Sequence, residues 1–316
     1  MSAENMRAIS QSTLGEPSVL HEVEVERPQV GAGQILVAVR AAGVNPADGH
    51  HRRSGLFLGE PPFTLGWDVS GVVKEVGVGV SLFCPGDEVF GMLPFPYGAG
   101  AYAEYVVGPV RAFVGKPEVI SHVEAAALPL AALTAWQALV DTARVEPDQR
   151  VLVLGAAGGV GHLAVQIAKA RGAVVVGTAS ASKLDFIRGL GVDEAIDYQA
   201  GDITEVRDVD IVLAFIGGDD RLRSLETLKP GGVLVTSVPD EEFSSVVSRA
   251  TELDVRAAAV FVEHDRAAME GIASLVADGR LRPVIADVYP LSDAAKAHSQ
   301  IETGRVSGKL VLTTQR

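Results

Sequence analysis

Residues 150–177, which read RVLVLGAAGGVGHLAVQIAKARGAVVVG, are the stretch that most limits the folds open to this chain. They begin with a continuous apolar run over residues 151–154, as expected of a strand that is buried on both faces. Gly155, Gly158 and Gly161 then follow three residues apart. Apolar residues next recur at helical spacing, before a second apolar run begins. The segment therefore predicts a strand, a glycine turn, a helix and a second strand.

A glycine turn between a strand and a helix favours the binding of a diphosphate. The start of a helix presents unpaired N–H groups and a partial positive charge of about 0.5. Small residues such as Ala156 and Ala157 let phosphates approach the backbone. This context is what marks a dinucleotide-binding turn. The alternative is a tight turn that serves only to pack the helix closely on the strand.

The remainder of the chain has two patterns. From about residue 147 to residue 262 strands and helices alternate, which predicts a parallel, doubly wound α/β sheet. In this part we expect a helix over residues 222–228 and strands over 233–238 and 255–262. Residues 6–40 are β-rich and partly alternate apolar with charged residues, which predicts antiparallel strands. Because single cores stop growing near about 250–300 residues, 316 residues indicate two domains.

Charge and cysteine content exclude several classes of protein. The net charge of −13 argues against a nucleic-acid partner or an anionic membrane. The only long apolar region is interrupted by Gln166, Lys169 and Arg171, so we expect no membrane span. Cys84, the one cysteine, excludes an internal disulfide and a four-cysteine zinc lobe. We predict that Cys84 is a buried, inert thiol. We also predict a cytoplasmic protein, because a single cysteine fits a reducing compartment and the N-terminal residues carry no signal-peptide core.

The turn at Asn45 and Pro46 precedes a short predicted helix that contains two histidines and two arginines, residues 50–53. Adjacent histidines do not share a helix face, so a metal site with two histidines is not expected there. The sequence favours a solvated basic surface, which would also attract an anionic cofactor.

The residues after the second strand bear on the choice of cofactor. In folds that prefer NAD, an acidic residue about 20 residues past the glycines binds the ribose 2′-hydroxyl. The corresponding stretch, residues 178–183, has no carboxylate, whereas Ser180 and Lys183 suit a 2′-phosphate. We therefore predict NADPH. The alternative, in which Ser180 caps the next helix and Lys183 is solvated, is compatible with that prediction.

Taken together, these motifs resemble those of the zinc-free quinone oxidoreductases of the medium-chain dehydrogenase/reductase superfamily. The resemblance covers nearly the whole chain and rests on GVNPAD (43–48), LGWDVSGVV (65–73), PGDEVFG (85–91), AYAEYVV (101–107), PLAALTAWQAL (129–139), GAAGGVG (155–161), LKPGGVLV (228–235) and GKLVL (308–312).

The resemblance implies a GroES-like, mainly antiparallel β-barrel domain over residues 1–124, to which residues 263–316 return. It also implies a Rossmann NADP-binding domain over residues 125–262, bound NADPH and a homodimer. Zinc-dependent relatives carry a catalytic cysteine where this chain has Asn45, and Gly-His-Glu where it has Gly66-Trp67-Asp68. Two ligands are missing, so we predict a site without metal.

The resemblance also assigns roles to individual residues. Asn45 is implied to face the nicotinamide and the substrate, which makes it the one catalytic candidate. The implied cofactor contacts are Asn45, Thr134, Gly155, Ala156, Gly158, Gly159, Val160, Gly161, Ser180, Lys183, Tyr198, Phe261, Val262 and Lys309. Two of these residues have a structural alternative. Tyr198 would simply pack beside the adenine, and Lys309 would be a solvated lysine on the surface. Relatives often have an aromatic residue after the Asn-Pro motif, where this chain has Gly49-His50-His51-Arg52, so substrate contacts from this loop do not carry over.

The predicted absence of zinc restricts the reaction. Without a Lewis acid the acceptor must take up a hydride readily by itself, as a quinone does. The first hypothesis is therefore an NADPH:quinone reductase in which the protein supplies proximity and a dry pocket, and water supplies the second proton. A reductase of enone or enal C=C bonds is the alternative on the same scaffold. A non-catalytic NADPH-binding protein is the alternative from another class.

Overall fold

The computed structural model describes residues 4–237 and 243–314. The strands are β1 (Asn5–Gln11), β2 (His21–Glu26), β3 (Gln34–Val44), β4 (Phe63–Thr64), β5 (Asp68–Val76), β6 (Glu88–Met92), β7 (Tyr105–Pro109), β8 (Phe113–Gly115), β9 (Arg150–Leu154), β10 (Val174–Ala179), β11 (Glu194–Asp197), β12 (Val209–Ala214), β13 (Leu228–Ser237), β14 (Arg256–Val260), β15 (Ile285–Pro290) and β16 (Lys309–Thr313). The helices are α1 (Pro46–Ser54), α2 (His122–Ala126), α3 (Pro129–Trp136), α4 (Gly161–Ala170), α5 (Leu184–Gly189), α6 (Asp219–Arg223), α7 (Phe243–Glu252), α8 (Arg266–Ala277) and α9 (Ala294–Ile301).

The chain forms two compact units. Unit 1 comprises residues 1–133, 263–278 and 283–316, and unit 2 comprises residues 134–262 and 279–282. The expected boundary after residue 124 therefore differs from the observed one. Residues 125–133 belong to unit 1 because Ala126 and Ala127 pack in one apolar cluster with Ala41 of β3 and Val311 of β16. Residues 279–282 also differ from the expectation, since they belong to unit 2.

Unit 2 is built on a six-stranded parallel sheet in the order β11-β10-β9-β12-β13-β14. Numbered within the unit, this order is 3-2-1-4-5-6, which is that of a Rossmann sheet. Strand β9 lies at its centre, and its residues 151–154 are buried as the continuous apolar run predicts. The order reverses between β9 and β12, so ligands are expected at the carboxyl ends of these strands.

Unit 1 is mainly antiparallel. A seven-stranded sheet runs β15-β16-β3-β5-β6-β8, with β7 also paired to β3, and a three-stranded sheet runs β2-β1-β4. Only β15 and β16 pair in parallel within the larger sheet. The C-terminal strand β16 pairs with the end of β3, from Leu310 opposite Val44 to Thr313 opposite Ala41. This pairing brings residue 309 beside the turn that follows β3.

Several local predictions are confirmed and others are wrong. Ser121 and Glu124, whose spacing in the sequence is that of a capping box, form one at the start of α2, and Pro129 begins a separate helix, α3. The helix expected over 222–228 begins earlier, at Asp219, and continues after Arg223 as a 3-10 turn over Ser224–Thr227, before β13 begins at Leu228. The Lys-Pro-Gly-Gly sequence there reads as a breaker, but it lies within the first part of the strand. Residue 238, the predicted end of that strand, lies outside the described residues. No helix within the described part of the chain is long and apolar enough to cross a membrane.

Candidate functional site

The glycine turn of unit 2 joins the end of β9 to the start of α4. Gly155 has a φ of +67°, a conformation that suits glycine. Its N–H donates to Oγ1 of Thr178 at 3.1 Å, and the N–H of Ala156 donates to the carbonyl of Thr178 at 2.9 Å. The turn is thus anchored to the end of the neighbouring strand β10. Sequence reasoning did not single out Thr178 for this contact.

Among the three glycines of this turn, Gly161 is the one at which a side chain would meet the closest neighbours. A Cβ there would lie 2.2 Å from the carbonyl oxygen of Gly155 and 2.9 Å from the Cα of Ala156. At Gly158 a Cβ would lie 3.2 Å from the same oxygen. Gly161 begins α4, and in the first turn of this helix the N–H groups of His162 and Leu163 donate to the carbonyls of Gly158 and Val160. The turn is therefore compact, and its chemistry fits a diphosphate.

The other predicted cofactor contacts of unit 2 follow the carboxyl ends of the strands, where a doubly wound sheet binds ligands. Ser180 and Lys183 come after β10, and Tyr198 comes directly after β11, with its N–H bonded to the carbonyl of Ala179 at 3.2 Å. Tyr198 is 49% exposed. Ser180 occupies the cap position of a short 3-10 turn, but its hydroxyl makes no capping bond and lies 3.4 Å from that of Ser182.

Lys183 is half-buried, and desolvation lowers the pKa of its ammonium group from the ordinary lysine value. At neutral pH a partly desolvated cation gains from an anionic ligand, because such a ligand restores the stabilisation that solvent no longer provides.

Three further predicted contacts lie at other points of unit 2. Phe261 and Val262 follow β14, with Phe261 37% exposed and Val262 buried. Thr134 is buried in α3. After α3 the chain continues directly into a π-helical turn, Gln137–Thr142, which the sequence pattern did not predict.

In unit 1 the predicted catalytic residue Asn45 is buried between two charged side chains. Its Nδ2 donates to Oδ2 of Asp68 at 2.8 Å, and its Oδ1 accepts from Nζ of Lys309. A carboxylate only accepts and an ammonium only donates, so these two partners fix which end of the amide is which. Among residues 4–237 and 243–314, Asp68 is the one acceptor of Nδ2, so its second N–H remains for another acceptor.

Lys309 is not the surface lysine that the alternative foresaw. It is 3% exposed, and its Nζ also donates to the carbonyl of Val44 at 3.1 Å and lies 3.6 Å from Oδ2 of Asp68. Burial lowers the pKa of Lys309, whereas the charge of Asp68 opposes that shift. Asp68 is itself fully buried, and its Oδ1 accepts from the N–H of Leu130 at 2.7 Å.

The turn before α1 is held from a second side by Asp48. Its Oδ2 accepts from the N–H of Asn45 at 2.7 Å and from the hydroxyl of Tyr102 at 2.8 Å. Burial raises the pKa of Asp48 to about 7, and the two hydrogen bonds oppose this shift. Gly66, with a φ of +93°, makes room for the ring of Tyr102, since a Cβ would lie 2.4 Å from Cδ1 of that ring.

The hydroxyl of Tyr102 also lies 3.2 Å from Nε2 of His298, and Nδ1 of His298 lies 2.9 Å from Nη1 of Arg52. Arg52 is fully buried and donates to Oε1 of Glu302 at 2.7 Å and to the carbonyl of Gly15 at 2.9 Å. Burial, together with the charges of Arg52 and Arg53, lowers the pKa of His298 to about 3. His298 is therefore neutral near neutral pH.

The solvated basic surface expected at residues 50–53 is wrong for its two central members. His51 and Arg52 are buried, whereas His50 and Arg53 are exposed. The helical spacing alone did not reveal this, because the acidic partner Glu302 lies some 250 residues away in the sequence. Arg52 is therefore not available to attract an anionic cofactor.

His51 instead belongs to an aromatic cluster with Trp67 and Phe95. Its ring centroid lies 4.8 Å from that of Trp67 and 5.8 Å from that of Phe95. At the edge of this cluster the ring of Phe57 lies 6.0 Å from that of His51 and 5.6 Å from that of Tyr97, and Phe57 and Tyr97 are exposed. The loop after α1 thus presents an apolar, aromatic surface.

Cys84 is exposed, so the prediction of a buried thiol is wrong. It lies in the Pro-Gly turn before β6, where its N–H donates to Oδ2 of Asp87. Across the described parts of the chain, no group of three His, Cys, Asp or Glu side chains has an arrangement that could hold a metal ion.

Comparison with known proteins agrees with this architecture. Residues 31–118 match the alcohol dehydrogenase GroES-like domain family, and residues 190–312 match the zinc-binding dehydrogenase family. The chain is 33% identical to the quinone oxidoreductase of Rattus norvegicus, over 97% of each chain. The chain belongs to the zinc-free quinone oxidoreductase branch of the medium-chain dehydrogenase/reductase superfamily. The predicted fold class, a Rossmann sheet with a GroES-like, mainly antiparallel domain, is confirmed.

Two other relatives bear on the reaction. The chain is 32% identical to a chloroplastic quinone-oxidoreductase homolog of Spinacia oleracea, over 99% of each chain. It is 34% identical to the 2-methylene-furan-3-one reductase of Solanum lycopersicum, over 97% of this chain and 79% of that protein.

Solved structures show the same likeness. The quinone oxidoreductase of Coxiella burnetii has a TM-score of 0.92 and 35% identity, over 99% of this chain and 100% of that chain. The Escherichia coli quinone oxidoreductase complexed with NADPH has a TM-score of 0.86 and 29% identity, over 97% and 99%. The protein is accordingly an NAD(P)H-dependent oxidoreductase that acts on a small molecule.

Proposed function

We propose that the protein is an NADPH-dependent reductase that transfers a hydride to a quinone or a similar electron-poor carbonyl acceptor without zinc. The observation that carries this proposal is the buried Asn45 amide, fixed between Asp68 and Lys309. Zinc-dependent relatives have a metal ligand at this position, whereas here a lysine ammonium group lies against both Asn45 and Asp68. A metal cation would have to compete with that buried positive charge.

NADPH, when bound, supplies the hydride. The small residues of the turn would let its diphosphate approach the start of α4, with contacts to Gly155, Ala156, Gly158, Gly159, Val160 and Gly161. Ser180, Lys183 and Tyr198 would surround the 2′-phosphate, and Thr134, Phe261 and Val262 would complete the cofactor contacts. The half-buried Lys183 is the strongest support for NADPH over NADH.

The free N–H of Asn45 would donate to the oxygen of the acceptor and so favour the charge that develops there during hydride transfer. Lys309 would orient the Asn45 amide by donating to its Oδ1, in addition to making its own predicted contact with the cofactor. The exposed aromatic rings of Phe57 and Tyr97 suit a flat, apolar acceptor. The second proton would come from water.

A second candidate is the reduction of an enone or enal C=C bond, and the similarity to the tomato 2-methylene-furan-3-one reductase favours it. The two activities separate in an assay of NADPH oxidation against matched panels of quinones and α,β-unsaturated carbonyls. We expect kcat/KM for the best quinone to exceed that for the best enone. The reverse order would overturn the quinone assignment, and tight NADPH binding without turnover of either panel would indicate a binding protein.

Two further parts of the proposal concern the state of the protein. We propose a homodimer, which sedimentation equilibrium tests directly, since a monomer at micromolar concentration would contradict it. We also propose a cytoplasmic location, because a single exposed thiol suits a reducing compartment. The relative in Spinacia oleracea is chloroplastic, so fractionation of the source cells is the test.

A further inference from the structure

The loop that carries Asn45 is attached to a chain of buried hydrogen bonds, which we call the Asp48 chain: Asp48, Tyr102, His298 and Arg52. The order of donors in this chain is fixed by Arg52, because a guanidinium group donates and never accepts. Nδ1 of His298 must therefore accept from Arg52, and its proton resides on Nε2. Nε2–H then donates to the hydroxyl of Tyr102, whose own proton goes to Oδ2 of Asp48.

Asp48 ends this chain at the main chain of Asn45. Its Oδ2 accepts two hydrogen bonds, one from Tyr102 and one from the N–H of Asn45. Its Oδ1 is buried and, among the described residues, has no hydrogen-bond partner. A proton taken up by Asp48 would therefore be carried by Oδ1, and the two bonds to Oδ2 would change from charge-assisted to neutral bonds, which are about half as strong.

We propose that Asp48, Tyr102 and His298 are positioning residues for Asn45, and that the ionisation of Asp48 sets how firmly the Asn45 loop is held. The inference rests on the proposed function in one respect, namely that Asn45 donates a hydrogen bond to the oxygen of the acceptor. The charged and titratable groups that act on Asp48 from the surrounding elements are Tyr102, Asp68 and Lys309, with His298, Arg52, Arg53 and Glu302 beyond them.

Because burial raises the pKa of Asp48 to about 7, the change from neutral to charged bonds falls near physiological pH. Above that pH the carboxylate holds the N–H of Asn45 more firmly. Below it the hold weakens. Tyr102 lowers the pKa of Asp48 through its hydrogen bond, so removal of that hydroxyl moves the transition to higher pH.

The sequence offers an unusually direct test, since Asn5 and Asn45 are its only asparagines. Protein labelled with ¹⁵N-asparagine gives the backbone amide signals of these two residues alone. Asn5 lies in β1, opposite Glu26, and serves as the internal control. We expect the Asn45 signal to titrate with a midpoint at about pH 7 while the Asn5 signal stays constant.

Three variants decide the assignment. In Asp48→Asn, which adds one labelled residue, the midpoint of Asn45 should vanish. In Tyr102→Phe it should move to higher pH. The matched control is Tyr105→Phe, because Tyr105 packs on Arg27 and is not part of the Asp48 chain. In this variant the midpoint of the Asn45 signal should be unchanged. The unchanged Asn5 signal reports that each variant is folded. A midpoint that persists in Asp48→Asn would assign the titration to a group other than Asp48 and overturn the inference, and so would a flat Asn45 signal in the wild type.

A kinetic measurement separates this inference from the proposed function. At saturating NADPH, kcat/KM for a quinone should rise by about tenfold from pH 6 to pH 8 in the wild type, and stay flat in Asp48→Asn. Equal pH profiles for the two proteins would overturn the inference and leave the quinone reductase assignment intact. Absence of turnover in both would overturn that assignment, and the titration of Asn45 would still decide the positioning role.

Discussion

The two units prepare their candidate sites by different means. In unit 2 the glycine turn offers backbone N–H groups, and its defining property is the absence of side chains at positions such as Gly161. In unit 1 the surroundings of Asn45 consist of buried charged and polar side chains that form hydrogen bonds with one another. A backbone site depends on space, whereas a side-chain network depends on complete pairing. The two units should therefore fail in different ways when they are altered.

The largest expected effect is the loss of pairing in unit 1. Glu302→Ala removes the carboxylate partner of the fully buried Arg52. An uncompensated buried charge is costly, and we expect the free energy of unfolding to fall by about 3 kcal/mol. Urea unfolding followed by circular dichroism measures this change.

The matched control is Glu270→Ala, which removes a carboxylate paired with Arg266 on the solvent side of α8. That change should cost less than about 0.5 kcal/mol, because exposed pairs contribute little. Equal losses for the two variants would mean that Arg52 is not held by its pairing with Glu302.

The corresponding change in unit 2 adds a single methyl group. In Gly161→Ala the new Cβ would overlap the carbonyl oxygen of Gly155, so the turn must open. We expect the Kd for NADPH to rise by about 100-fold or more, since a displacement of about 1 Å in such a site carries a penalty of this size. Isothermal titration calorimetry gives the value.

Gly189→Ala is the control for that experiment, since a Cβ there meets nothing within 4 Å and the residue lies in α5. It should bind NADPH like the wild type and be stabilised by up to about 1 kcal/mol. If Gly161→Ala also bound NADPH normally, the turn would not be the diphosphate site.

The third effect is a dependence of the free energy of unfolding on pH, which His298 introduces in unit 1. The pKa of His298 is lowered to about 3, so in the folded protein it stays neutral where the unfolded chain takes up a proton. Stability from this residue is therefore complete above about pH 6.5 and is lost as the pH falls towards 3, by about 1.4 kcal/mol per pH unit. In His298→Gln the dependence of unfolding free energy on pH between 4 and 6 should be flatter than in the wild type. Parallel curves would contradict a buried neutral histidine.

The smallest expected effect concerns one side chain in unit 2 that supplements the backbone. Lys183→Ala should raise the Kd for NADPH by about tenfold and leave that for NADH unchanged, because only NADPH carries the 2′-phosphate. Fluorescence titration with both cofactors measures the two constants. An unchanged ratio of the two constants would remove the main support for NADPH.

The sequence predicted unit 2 better than unit 1, for a physical reason that individual residues illustrate. Gly155, Gly158 and Gly161 lie within one short stretch, and local rules connect such a stretch to a strand, a turn and a helix. The tertiary structure added the anchor at Thr178, which comes from the neighbouring strand. Sequence reasoning also identified Asn45 and Lys309, but only through resemblance to a family.

The sequence did not predict the Asp48 chain. Tyr102 and His298 are separated from Asp48 by 54 and about 250 residues, and no spacing rule connects them. The prediction that Arg52 is solvated was wrong, because it rested on the rule that an arginine in a short polar helix faces solvent. Cys84 shows the opposite error, because a lone cysteine is usually buried and this one lies in an exposed turn.

The sequence by itself therefore determined the alternation of strands and helices, the glycine turn and the family, because each depends on contacts between near neighbours or on whole motifs. Only the tertiary structure decided which charged residues are buried and with which partners. The pairing of β16 with β3 brings Lys309 to Asn45, and α9 supplies His298 and Glu302 to α1. The stability of a buried charge depends on partners that are distant in sequence, so it is a property of the folded chain.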